Sequence, residues 1–140
     1  MNTQHLCGMQ KERAQHTIED TLTLLECDIV SLRKEASLYK NVSIDTFKKL
    51  KVFTTHIIKN QVTLFELAMN DEKSWRFLEK RTATLSSTWN DRILLIRYLE
   101  VIVTLFDDLC DTQNLLNQLM MENLGLVLNQ GPLLGSMFKE

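Results

Sequence analysis

A chain of 140 residues that is 44% hydrophobic and 24% charged is long enough for one domain and too apolar for general disorder. It has four glycines and one proline, where average usage gives about ten and seven, and all five lie near the ends: Gly8, Gly125, Gly131, Pro132 and Gly135. That scarcity argues against sandwiches, barrels, dinucleotide-binding folds and phosphate loops, and a net charge of −2 gives no global drive toward nucleic acid or anionic membrane.

Residues 1–13 are polar and read as a flexible start. They contain no apolar leader, and Cys7, Cys27 and Cys110 are far apart. The expectation is a reducing, intracellular setting, cytoplasmic or nuclear rather than secreted, with free thiols. Residues 14–128 read as a helical coiled-coil or bundle region. Its first seam is Ile18, Leu22, Leu25, Ile29, Leu32, Ala36 and Tyr39, in steps of four and three that put one apolar stripe on a helix.

A second seam runs through Trp75, Leu78, Thr82, Leu85 and Trp89, then Ile96, Leu99, Val103, Phe106 and Cys110, and less cleanly through Met120, Leu124 and Val127. It is out of phase with the first by four residues. Such a shift is either a stutter in one coiled coil or a turn between two helices. The turn is expected near 40–46, where Ser43 suits an N-cap, near 70–74, where Asn70 precedes Asp71 and Glu72, or at both. A further break at Ser86-Ser87-Thr88 is disfavoured because the phase is kept across it. Ile93 to Phe106 is the most apolar stretch, but Arg97 and Glu100 interrupt it and it is too short to span a bilayer. Gly131-Pro132 then stops the helical body and begins a C-terminal tail within 129–140.

No catalytic, cofactor or metal motif is present: C-x-x-C, H-E-x-x-H, G-x-x-x-x-G-K and G-x-S-x-G are all missing. Asp107, Asp108 and Asp111 form the densest acidic group, and they read as solvated or as facing a basic partner. From Arg33 to Lys59 the chain is locally basic, and Lys48, Lys49, Lys51 and Lys59 could touch a polyanion. This stretch lacks the exposed aromatic residues of a stacking platform, so nucleic acid is not the expected ligand.

The expected fold is all-α: long amphipathic helices in an elongated hairpin, bundle or coiled coil. In length and composition the chain resembles the small coiled-coil subunits of kinetochore, spindle-associated and vesicle-tethering complexes, a likeness that carries no motif. The expected function is a non-enzymatic adaptor subunit without cofactors. It would bind other helical subunits, in a hetero-oligomer rather than a homo-oligomer, through Leu22, Leu25, Ile29, Leu32, Trp75, Leu78, Leu85, Trp89, Ile96, Leu99, Val103 and Phe106. Leu133, Leu134 and Phe138 of the tail would dock into a partner's groove. The alternatives are a self-contained helical bundle that regulates a signalling partner, and a polyanion-binding helical module.

Overall fold

The computed structural model describes residues 3–129 and 131–137, with side chains described from Gln15 onward. The chain is 52% helical and 24% strand, which corrects the all-α, coiled-coil expectation. A long helix α1 (Thr3–Leu38) and a short helix α2 (Ile44–Phe47) precede three strands, β1 (Lys51–Ile58), β2 (Gln61–Met69) and β3 (Trp75–Thr84); helix α3 (Leu94–Asn123) follows. The strands form one antiparallel sheet in the order β1-β2-β3. Helical backbone begins at Thr3 and so includes most of the segment read as a flexible start.

Local chemistry explains the strands. Val52-Phe53-Thr54-Thr55-His56-Ile57-Ile58 is dense in β-branched and aromatic residues, which fit a pleated surface better than a helix. The β1–β2 hairpin turns through Lys59-Asn60 without glycine, because Lys59 itself takes a left-handed φ of 55°. The β2–β3 turn is closed by Asp71, whose Oδ1 accepts from the amides of Lys73 and Ser74 at 2.9 and 2.8 Å. Asn70 therefore opens a turn and caps no helix. In a strand, side chains alternate between faces, so Trp75, Leu78 and Thr82 do not share one stripe. The four-residue phase shift is neither a stutter nor a turn between two helices, because a sheet lies between the two seams.

The two long helices cover opposite faces of the sheet. Leu25, Ile29, Leu32 and Ala36 of α1 pack with Val52, Leu67 and Phe77. Thr54 Oγ1 donates to Asp28 Oδ2 at 2.6 Å on this side. Val101, Tyr98 and Leu105 of α3 pack with Leu64, Ala83 and Phe53 on the other side. Helix α3 lies mainly over β3 and β2. At the end of the sheet where β1 begins and β2 stops, the α1-side core is closed by Val42, Ile44, Phe47, Leu50, Met69, Leu119 and Leu134.

Ser43 caps α2, its Oγ accepting from the Thr46 amide at 3.2 Å. The buried Glu122 of α3 ties to the same place: its carboxylate accepts from Thr46 Oγ1 at 2.9 Å and from the Ser43 amide at 3.4 Å. Two residues past the end of α3, Gly125 takes a φ of 73° that a larger residue rarely adopts. Beyond it, residues 131–137 run back as a strap. Leu133 bridges Ser43. The Ile44 amide donates to the Pro132 carbonyl at 3.0 Å, and those of Leu134 and Gly135 donate to the carbonyls of Val42 and Lys40, both at 2.8 Å.

Candidate interaction surface

Helix α3 has two apolar faces, and its own sheet uses one of them. Val101 is buried on the inner face. About half a turn away stand Ile96, Leu99, Val103 and Phe106, at spacings of three, four and three. Each is more than half exposed, Val103 at 57% and Phe106 at 65%. Leu95, Ile102 and Leu109 widen this stripe on one flank and are also exposed. The other flank is acidic. Glu100 there pairs with Arg81 of β3 at 3.5 Å, so it faces the β3 edge. Ile102 is 200° further around the helix and so faces the β1 side.

A charged network lies between α3 and the sheet. Glu66 of β2 is only 5% exposed and meets Lys51 Nζ at 3.1 Å and Lys80 Nζ at 3.3 Å. Lys80 also binds Asp108 of α3 at 2.5 Å and sits 5.5 Å from the centre of the Phe53 ring. Burial by itself would raise the Glu66 carboxyl, but hydrogen bonds and charge from Lys51 and Lys80 outweigh it and hold the group below its ordinary value. Burial would likewise lower Lys80, yet Asp108 and then Glu66 raise it. A β-bulge makes the network possible. The register jumps from Leu64↔Arg81 to Phe65↔Glu79, leaving Lys80 as the extra residue. The bulge sends Lys80 and Arg81 to the same side, each to a carboxylate of α3.

The other predicted contact residues are dispersed. Leu22 is exposed on α1 upstream of the core. Leu25 and Ile29 pack on the sheet, and Leu32 is fully buried, so these three line the chain's own core. Trp75 also packs there, beneath the Arg33 guanidinium at 6.0 Å. Leu78 lies exposed on β3, and Leu85 is half-buried just after it. Trp89 is 79% exposed in the β3–α3 connection, with Arg92 over its ring at 5.2 Å. In the strap, Leu134 is fully buried and Leu133 is 40% exposed; what was expected to dock into a partner docks into this chain, because Leu134 completes the core. Phe138 lies outside the described residues.

The four lysines do not form one face. Lys48 stands 3.9 Å from Asp45 and Lys51 is held by Glu66. Lys49 is exposed beside them, and Lys59 sits in the hairpin turn at the far end of β1. Eight strand residues, about 26 Å, separate the two ends. Lys49 and Lys51 instead line a cleft of about 250 Å³ with Phe53, Asp108, Asp111, Thr112 and Leu115.

No family model, curated protein or solved structure matches this chain. Among the described residues, no group of three His, Cys, Asp or Glu is placed to hold a metal ion. No described helix is long and apolar enough to cross a membrane. Cys27 and Cys110 are exposed free thiols.

The Ile96–Phe106 stripe was legible in the sequence, since it lies within a true helix. The Lys51–Glu66–Lys80–Asp108 network was not, because it depends on a bulge and on strand pairing. A glutamate within the apolar run Val62-Thr63-Leu64-Phe65-Glu66-Leu67-Ala68 was the available signal.

Proposed function

We propose that this chain is a non-enzymatic assembly subunit that receives an amphipathic helix of a different polypeptide on the outer face of α3. The unpartnered stripe of Ile96, Leu99, Val103 and Phe106 carries this reading. With Leu95, Ile102 and Leu109 it presents seven large apolar side chains about half exposed. Covering their exposed halves is worth about 5–10 kcal/mol before the cost of association. Contiguous patches of this kind mark interaction sites.

Charge selects a different polypeptide over a second copy. The residues bordering the stripe are Glu100 and Asp107 on one flank and Leu95, Ile102 and Leu109 on the other. Arg81 of β3 also borders it and pairs with Glu100 at 3.5 Å, but no lysine or arginine among the described residues pairs with Asp107. Two copies packed antiparallel would bring acid against acid, and packed parallel would bring acid against leucine or isoleucine. A helix with an apolar seam and a Lys/Arg flank satisfies both sides. An intracellular, reducing setting agrees with the exposed Cys27 and Cys110.

The test is cross-linking of the complex recovered on the tagged full chain from its native cells, with cross-links mapped by mass spectrometry. A basic-flanked helical segment of another polypeptide should cross-link around residues 95–110. The double variant V103D/F106D should lose it while keeping its circular dichroism spectrum, because both side chains face outward. Retention of the same partners by V103D/F106D, or cross-links confined to other surfaces, overturns the proposal.

A further inference from the structure

The sheet has two outer strands, and their free edges differ. The β3 edge carries the bulge at Lys80 and the charges of Arg76, Glu79, Lys80 and Arg81, the usual devices against edge-to-edge pairing. The β1 edge has no bulge, and its one lysine, Lys51, is held by Glu66 at 3.1 Å. Its eight residues pair with β2 in unbroken register from Lys51↔Ala68 to Ile58↔Gln61, and it contains no proline. Thr55, Ile57 and Ile58 are exposed, Ile57 at 60%, so no described element covers that part of the strand.

The backbone orientation of β1 follows from one hydrogen bond. The Leu85 amide donates to the Asn60 carbonyl at 2.5 Å. Asn60 thus turns toward the β3 side, and its neighbour Gln61 turns toward β1. Ile58, opposite Gln61, faces β2 with the other even-numbered residues of β1. Lys51, Phe53, Thr55 and Ile57 consequently aim their amides and carbonyls at the open edge, where no described group bonds them.

We propose that β1 pairs antiparallel with β1 of a second copy about a two-fold axis at Thr55, joining two three-stranded sheets into one of six strands. Side-chain matching selects this occupant and register. Phe53 falls opposite the partner's Ile57 and Val52 opposite the partner's Ile58, which gives an aromatic–β-branched pair and an aliphatic pair. Thr55 meets its own copy, and Thr54 meets the partner's His56. The pairing covers the exposed Ile57 and Ile58. Lys51 meets the partner's Lys59 at each end, where Glu66 already neutralises Lys51. Centring on Thr54 instead would set Lys51 against Ile57 and Phe53 against Thr55. This contact uses no residue of the α3 surface, which belongs to a helix lying mainly over β3 and β2.

The test is sedimentation equilibrium of the full chain carrying V103D/F106D, so that α3 contributes no association. A dimer is expected at tens of micromolar. Thr55→Pro should convert it to a monomer with an unchanged circular dichroism spectrum, since it removes an outward amide that the monomer does not use. Should Thr55→Pro fail to fold, Ile57→Lys serves, because it places a charge opposite Phe53. Hydrogen exchange should show the Phe53, Thr55 and Ile57 amides at least tenfold more protected in the dimer than in the dissociated chain. A chain that stays monomeric, a dimer that survives both substitutions, or protection of these amides only when a different polypeptide is added each overturns the proposal. All of these can occur whether or not α3 binds a foreign helix.

Discussion

Glu66 shows how one residue sets a pH range. Its carboxyl is held below the ordinary value, so its contribution to stability is complete above about pH 4.5 and is lost as pH falls through the lowered value. Lys80 is raised, so its contribution is complete below about pH 10.5 and is lost as pH rises through the raised value. Thermal melting should therefore show a plateau between these limits. Glu66→Gln should lower stability on the plateau by about 1–3 kcal/mol, the range for hydrogen bonds to charged groups, and flatten the acid limb. Lys59 offers the opposite case. A lysine at φ 55° is strained, and Lys59→Gly should raise stability by about 0.5–1 kcal/mol in urea unfolding. The same residue explains why the hairpin was hard to read. Scarcity of glycine excludes tight turns only if other residues never adopt left-handed backbone, and here a lysine does.

At the scale of elements, the strap separates two neighbouring leucines. Leu134→Ala should cost about 2–5 kcal/mol because it empties a fully buried site. Leu133→Ala, at a 40% exposed position, should cost under about 1 kcal/mol. Equal losses in urea titrations would show that the strap does not fill the core. Gly135→Ala should also detach the strap, since an added Cβ would stand 2.8 Å from the Lys40 carbonyl oxygen, a backbone atom with little room to yield. The two long helices were legible because their apolar spacing matches a helical period over many residues: Ile18 to Tyr39 follows α1 and its loop, and Ile96 to Cys110 follows α3. The strands were not. Phe47, Leu50, Ile57 and Leu64 keep helical spacing by coincidence, and β2, buried along most of its length, lacks the polar alternation that marks a half-exposed strand. The β-branched run from Val52 to Ile58 was the signal that outweighed periodicity.

The whole molecule is a small three-layer body with one helix much longer than the layers. Thirty-six residues of α1 extend about 54 Å, whereas eight residues of β1 extend about 26 Å. The first α1 residue packed against the core is Leu25. Removing residues 1–17 should therefore change the melting temperature of the body by no more than a few degrees, and a cooperative loss of the sheet on that truncation would contradict this architecture. Order of synthesis gives the strap a further importance. Leu134 leaves the ribosome after every other buried residue of the core cluster that it completes. Until then α1, α2 and the sheet surround an unfilled apolar slot. The nascent chain can form its helices and hairpins early, but it cannot close its core before residues 131–137 emerge, so a transcript cut short ahead of Leu134 would yield a protein that exposes this slot to chaperones and proteases.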